Sequence, residues 1–312
     1  MNTSSRKILL IALGGNALIR KGQTGSIEEQ FANLRLPVGQ IAGLVDDYRI
    51  IITYGNGPQV GNLLLQQDCC DAVPKLPLEI LVAQTQGQIG YMIESSLDSE
   101  LMLRGKSRDI VSLLSYVVVD RDDPAFARPS KPIGPAYTGE KAATLPFPTA
   151  ATPKGYRRVV ASPRPRTIVE KREIRKLIEQ DFIVICCGGG GIPVTREGRR
   201  FHGIDAVVDK DLASARLAGE IGVDLFLIAT DVDGACLNFG KDNEELLHSL
   251  SLDEAQQYLQ AGHFGEGSMR PKIEAAMEFV GRGGKKTIIT SIAAISRAVR
   301  GEAGTVVASQ PL

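Results

Sequence analysis

A chain of 312 residues with 43% hydrophobic residues is long enough to bury a large core, and it predicts one large α/β domain with room for an insertion. Lysine plus arginine and aspartate plus glutamate both number 36, so no global basic field draws the chain to nucleic acid or anionic lipid, and any cationic chemistry has to be local. Tryptophan is absent and aromatic residues make up 5%, too few for the stacking platforms that hold single strands.

Arg6-Lys7 leads into an apolar run, Ile8 to Leu13, that is too short for a signal-peptide core and reads as a first strand ending at Gly14-Gly15-Asn16. No stretch of the sequence approaches the roughly 18 apolar residues of a membrane span. A second run, Ile50 to Thr53, stops at Gly55-Asn56-Gly57. Pro58 then suits a first helical turn, and Val60, Leu63 and Leu64 recur at helical spacing. A longer helix carries Ile89, Ile93, Leu97 and Leu101 four apart, a buried stripe.

Val117 to Val119 reads as another strand. From Asp120 the texture changes, with Pro124, Pro129, Pro132, Pro135, Pro146, Pro148, Pro153, Pro163 and Pro165 in one short stretch. Such density excludes long helices and predicts an excursion from the main sheet. Alternation resumes at Ile168, with a helix around Glu170 to Gln180 and a third strand, Ile183 to Cys186, ending at Gly188 to Gly191. A helix from about Asp209 to Ile221 leads to a fourth run, Leu225 to Ile228, whose exit carries Thr230, Asp231, Val232, Asp233 and Gly234. Pro271 opens a helix with Ile273, Ala276, Met277 and Val280 on one face, and Lys286 to Ile289 and Thr305 to Val307 are late strands. The alternation predicts parallel strands with right-handed crossovers and helices on both faces.

Four apolar runs that each end in a glycine turn are the most informative feature. Glycine allows positive φ and lets backbone N–H groups come close to an anion at the carboxyl ends of strands. Asp209-Lys210-Asp211 and Lys272 add a second signal, because a helix amino end welcomes aspartate and not lysine. Two lysines there make sense if an anion lies between them, with Asp211 holding them in place. Phosphoryl transfer needs such charges, since its transition state spreads negative charge over oxygens.

Other motifs fail. Gly105-Lys106-Ser107 has the ending of a P-loop, but the first glycine of that motif would fall at Glu100. Asp231-Val232-Asp233-Gly234 starts like a calcium loop, yet the glycine needed at the sixth position is Cys236. Gly188 to Gly191 is followed by Pro193 and not by the helix of a dinucleotide fingerprint. His202, His248 and His263 lack metal-ligand spacing, and there is no Gly-x-Ser-x-Gly elbow. Cys69, Cys70, Cys186, Cys187 and Cys236 make an odd count with two adjacent pairs, which reads as packing residues in a reducing cytoplasm and not as a disulfide framework.

Taken together, Ala12-Leu-Gly-Gly-Asn-Ala17, Gly55-Asn-Gly-Pro-Gln-Val-Gly61, Asp122-Asp-Pro-Ala-Phe126, Lys131-Pro-Ile-Gly-Pro135, Gly188-Gly-Gly-Gly-Ile-Pro-Val194, Asp209-Lys-Asp-Leu-Ala213 and Gly267-Ser-Met269 with Pro271-Lys272 run in order over nearly the whole chain. In these pieces the chain resembles the carbamate kinase branch of the amino-acid kinase family. The resemblance implies a three-layer αβα sandwich with a mainly parallel sheet and a small protruding lid at 120–162. It implies a homodimer and a reversible reaction of MgATP with carbamate giving MgADP and carbamoyl phosphate, the Mg2+ arriving with the nucleotide and not on protein ligands.

By position, the resemblance places Gly14, Gly15, Asn16, Gly55, Asn56 and Gly57 at the carbamate end, in a half spanning 1–119. Gly189, Gly190, Asp209, Thr230, Asp231, Val232 and Met269 serve the nucleotide in a half spanning 163–312. Lys131, Lys210 and Lys272 neutralise the transferring phosphoryl group and Asp211 organises them. Three positions depart from the family pattern: Tyr54 for the usual His, Gly234 for Lys and Arg270 for Gly. Residues 140 to 153 match poorly and run short. The rival readings are an acyl-phosphate-forming amino-acid kinase of the same fold and a regulatory nucleotide-binding protein.

Overall fold

The computed structural model describes residues 6–152, 155–265 and 268–310; Pro153 of the proline-rich stretch and Gly267 of the Gly-Ser-Met segment lie outside them. Its centre is an eight-stranded sheet in the order Ser249–Ser251, Thr305–Ala308, Lys286–Ser291, Leu225–Thr230, Lys7–Leu13, Tyr48–Tyr54, Ile183–Ile185, Ile110–Ser112. The four runs that end in glycine turns are therefore four consecutive strands, and all their pairings are parallel.

Successive residues of the first strand face opposite ways, which builds three layers. Leu10 and Ala12 join a core with helices Lys171–Glu179, Lys210–Ile221 and Met269–Gly281. Leu9, Ile11 and Leu13 join a second core with helices Ile27–Ala42 and Leu78–Leu103. Both faces are covered, which explains why these runs read as continuous apolar segments and not as an alternating pattern. The stripe Ile89, Ile93, Leu97 and Leu101 is buried in the second core.

The sheet is mainly parallel, as expected, and the Val117 run is a strand, as read from sequence. The sheet is not parallel to its end: Thr305–Ala308 runs antiparallel to Lys286–Ser291, and Ser249–Ser251 pairs parallel to it at the edge. The Val117 run lies in Tyr116–Val119, which belongs to a separate four-stranded sheet with Pro165–Ile168, Ile192–Glu197 and Arg200–Gly203. Strand Ile183–Ile185 of the later half sits between Tyr48–Tyr54 and Ile110–Ser112, so the two halves of the chain interleave in space.

The pairing of Tyr116–Val119 with Pro165–Ile168 makes a neck for the proline-rich segment. Arg166 donates to Asp120 across it at 2.7 Å, and the Arg164 backbone N–H donates to Asp123 at 3.0 Å. Beyond the neck the chain forms a three-stranded antiparallel sheet of Lys131–Tyr137, Gly155–Val160 and Thr149–Thr152, with short helices at Pro124–Phe126 and Gly139–Ala142. Fully buried Ile133 packs with Val60, Leu64, Leu81 and Val82, anchoring this sheet on the helices Gly57–Asp68 and Leu78–Leu103.

Candidate active site

The first strand exit, Gly14-Gly15-Asn16, lies between the fourth and the second. Gly14 N–H donates to Ala229 O at 2.9 Å, and Gly55 N–H donates to Leu13 O at 3.2 Å. None of Gly14, Gly15, Gly55 or Gly57 has positive φ, which corrects the conformational reason given from sequence. Space is the reason instead. A Cβ on Gly14 would lie 3.0 Å from Ala229 O, whereas one on Gly15 would meet nothing within 4 Å and would project into the open mouth of the site.

Helix Lys210–Ile221 brings its amino end to that mouth. Asp209 caps it, accepting from the N–H groups of Asp211 at 2.9 Å and Leu212 at 3.3 Å. The Lys210 side chain runs past the second exit, with its Cδ 3.4 Å from the position of a Gly55 Cβ, which itself would be 3.8 Å from Gly15 N. Lys210 Nζ pairs with one Asp211 oxygen, and Lys272 Nζ lies 3.1 Å from the other. Lys131 reaches in from the proline-rich segment and pairs with Asp209. Three lysines and two aspartates from three separated segments thus form one cluster, with Asp211 between the two helix-borne lysines.

Electrostatics fix the charge states. Burial alone would raise the Asp211 carboxyl, but Lys210 and Lys272 outweigh it and hold it below the ordinary carboxylate range. Asp209 is likewise penalised by burial and held far lower still, by Lys131 first and then Lys272 and Lys210. Burial lowers Lys210 against the pull of Asp211, with Lys272 adding to the lowering. For Lys272 the burial penalty is overcome by Asp211 and Asp209, which raise it.

A pH dependence of stability follows. Both carboxyls have folded-state values below the unfolded one, so between the two values the unfolded chain binds more protons. Their contribution is complete above the unfolded aspartate value of about 3.9 and is lost as pH falls below it. Urea midpoints measured from about pH 6 to about pH 3 should fall, and less steeply in Asp209→Asn. Identical slopes for the two proteins would show that this pair does not contribute.

The remaining candidates occupy distinct places. Asn16 Nδ2 donates to Asp231 Oδ2 at 2.7 Å, and Thr230 Oγ1 donates to Asp231 Oδ1 at 3.0 Å. Asn16, Thr230 and Asp231 line one cavity of about 290 Å3 together with Arg20 and Lys21. Val232 follows half-buried, and Met269 is the first residue of helix Met269–Gly281, packed on the core. Asn56 is buried and donates to Thr85 Oγ1 at 2.8 Å, so its amide faces helix Leu78–Leu103.

Gly189 and Gly190 do adopt positive φ, 63° and 85°, and are buried on the Asn56 side of the cluster. A Cβ on Gly189 would sit 2.2 Å from Asn56 Nδ2, and one on Gly190 2.3 Å from Val208 O. The third exit is thus a close-packed floor beneath the second.

Two departures from the family pattern have packing explanations. Tyr54 is buried and donates to Gln86 O at 2.8 Å, while burial, with Cys186 and Cys187 nearby, pushes its hydroxyl well above the ordinary value and keeps it a neutral donor. Its ring fills the space a Gly188 Cβ would need, 2.4 Å away. Gly234 leaves no room for a side chain, since its Cβ would lie 2.5 Å from Thr305 Oγ1.

Sequence reasoning missed Gln86, which takes N–H from Ser115 at 2.9 Å and donates to Ser115 O and Gly188 O at 3.1 Å each, joining the long helix to the third exit. Among the described residues, no three His, Cys, Asp or Glu side chains group as metal ligands.

The Amino acid kinase family model matches residues 7–291. The chain belongs to this family. Within it the chain groups with the carbamate kinases, being 45% identical over 309 residues to the carbamate kinase of Thermococcus kodakarensis, with 96% of this chain and 98% of that relative covered. Among solved structures, the carbamate kinase from Giardia lamblia bound to citric acid superposes on this amino acid kinase with a TM-score of 0.93 at 38% identity, over 98% of this chain and 99% of the other. The same enzyme bound to AMP-PNP gives 0.89 at 38% identity, over 98% and 99%. No helix among the described residues is long and apolar enough to cross a membrane.

Proposed function

We propose that this amino acid kinase is a carbamate kinase, transferring a phosphoryl group reversibly between MgATP and carbamate to give MgADP and carbamoyl phosphate. The observation that carries the reading is the convergence of Lys131, Lys210 and Lys272 on Asp209 and Asp211 beside the first two glycine exits. Such a cluster performs no covalent chemistry. It holds positive charge where negative charge spreads over the transferring oxygens, in a site too buried for water to screen it.

The small acceptor lies at Gly14, Gly15, Asn16, Gly55, Asn56 and Gly57, and the nucleotide lies over the neighbouring exit at Thr230, Asp231 and Val232, with Met269 beside it. Ligands of open parallel sheets bind outside the carboxyl ends of strands, and strand Leu225–Thr230 adjoins strand Lys7–Leu13, so phosphates extended from one exit reach the other. Gly189 and Gly190 support this surface from below. The Mg2+ enters with the nucleotide as part of the substrate. Segment 120–162 acts as a lid that delivers Lys131. The enzyme works in the cytoplasm, where five unpaired cysteines stay reduced, and as a homodimer; Tyr91, Met102 and Leu103 leave helix Leu78–Leu103 with exposed apolar surface for a second copy.

The test is ATP formation from ADP and carbamoyl phosphate in a coupled assay, beside acetyl phosphate as a rival donor. Carbamoyl phosphate should be the strongly preferred donor; equal use of both would overturn the assignment. Gly15→Val gives a second check. Its branched carbons enter open space without backbone strain, so carbamoyl phosphate binding should be lost while ADP binding is largely kept. Loss of ADP with carbamoyl phosphate retained would reverse the two ends of the site.

A further inference from the structure

Two hydroxyls outside the lysine cluster tie helix Lys210–Ile221 to the second strand. Thr53 is the one polar residue of the run Ile50 to Thr53 and stands two residues before Gly55, while Ser214 lies about one helical turn after Lys210. Both are fully buried, and their Oγ atoms are 2.7 Å apart. Ser214 Oγ also donates to Lys210 O at 2.6 Å. A hydroxyl has one proton to give, so that of Ser214 is spent on Lys210 O and Thr53 is the donor to Ser214. The relay therefore has a fixed direction, from the Thr53 hydroxyl to the Ser214 hydroxyl to the Lys210 carbonyl.

A bond from serine to the carbonyl four residues back is ordinary in helices and needs no partner in another element. Thr53 is the addition. It shares its face of strand Tyr48–Tyr54 with Ile51, on the side where Ala12 meets Ala213, Ala215 and Ala218 of the helix in one core. Those short side chains let strand and helix come close enough for two hydroxyls to meet between them. Apolar contact is non-directional and tolerates small slips of a helix over a sheet, whereas a hydrogen bond is specific in length and angle. The same two elements approach again at the mouth, where Lys210 Cδ lies 3.4 Å from the position of a Gly55 Cβ. Lys210 is thus held at its carbonyl by the relay and at its ammonium by Asp211.

We propose that Thr53 and Ser214 are positioning residues for phosphoryl transfer, which set where the Lys210 ammonium stands relative to the second glycine exit. The inference rests on the reading of the lysine cluster as the transfer site. Burial closes both residues off from the mouth, so they act through Lys210 and not on substrate. Hydroxyls suit this task because they fix geometry without adding a charge beside three lysines and two aspartates. A displacement of about 1 Å in a catalytic group can cost about 10²-fold in rate, so a tie one turn from the lysine bears on turnover even where the fold is kept.

Thr53→Val keeps the branched shape and removes the donor, while Ser214 keeps its bond to Lys210. Its kcat for ATP formation from ADP and carbamoyl phosphate should fall about tenfold. KM for both substrates should stay within about twofold, the pattern for an interaction that counts only in the transition state. Thr53→Ser, which retains the hydroxyl, should recover most of the loss. Ser214→Ala should match Thr53→Val, and the two together should lose little more, because both cut one chain of bonds. In a Lys210→Ala background Thr53→Val should add nothing, since the group it positions is gone. A merely structural role would lower the melting temperature and leave kcat per folded molecule unchanged. Wild-type kcat in folded Thr53→Val or Ser214→Ala, a Thr53→Ser variant as slow as Thr53→Val, or losses that multiply with Lys210→Ala would each overturn the inference and leave the carbamate kinase reading standing. Absence of ATP formation in the wild type would overturn both.

Discussion

Lys210→Ala is expected to lower kcat for ATP formation by about 10²–10³, the range seen when one preorganised transition-state donor is removed. The side chain is 10% exposed and its ammonium sits at the mouth formed by Gly15 and Gly55, so water replaces it poorly. Lys210→Arg should rescue little, because the stem already passes within 3.4 Å of where a Gly55 Cβ would be and leaves no width for a planar guanidinium. Asp211→Asn separates charge organisation from direct charge. It leaves two buried lysines facing each other without their shared anion, so it should cost both turnover and stability, on the order of 3–5 kcal/mol for a broken buried pair. Lys210→Ala should retain more stability than Asp211→Asn while losing comparable turnover. Steady-state kinetics beside denaturant melts check both, and wild-type kcat in folded Lys210→Ala would remove the lysine from the mechanism.

How much of this site was legible in the sequence depended on how local each signal was. The runs ending at Leu13, Thr53, Cys186 and Ile228 announced strands with glycine exits, and they became four neighbours in the sheet. Lysines at helix amino ends announced the cluster, because the helix dipole makes that placement unfavourable unless an anion compensates. What lay beyond reach was non-local. The Val117 run carries the same apolar signal as a main-sheet strand, and only its pairing with Pro165–Ile168 assigns it to the neck. The antiparallel setting of Thr305–Ala308 depends on the path of the helix before it, which periodicity does not encode.

Of the two reasons for glycine read from sequence, positive φ and close approach, only the second applies in the first two exits. There, close approach and open space matter, and only Gly189, Gly190 and Gly191 use the left-handed region. Gln86 and the amide of Asn56 were invisible as network members, since a polar residue inside a helical stripe or beside a glycine does not say which way its side chain turns.

Gly61→Val should reproduce the loss of Lys131 without touching it. Gly61 lies within helix Gly57–Asp68, where valine costs little in intrinsic propensity. A Cβ there would stand 1.9 Å from Gly134 N and 2.0 Å from Gly134 Cα, and backbone on both sides cannot yield cheaply. Gly134 is held at φ 70° in strand Lys131–Tyr137, so the strand has to lift off the helix rather than adjust in place. Lys131, three residues away on the same strand, then loses Asp209. Turnover should fall about 10²-fold, as for loss of one charged donor, with ADP binding largely kept because Thr230 to Val232 lie on another strand exit. Hydrogen exchange supplies the mechanistic readout. In the wild type, residues 131–137 should exchange more slowly with carbamoyl phosphate and ADP bound, and in Gly61→Val that slowing should vanish. Combining Gly61→Val with Lys131→Ala should add little further loss, because both remove one ammonium from the same place. If the two losses multiply, the proline-rich sheet acts on catalysis by a route other than delivering Lys131.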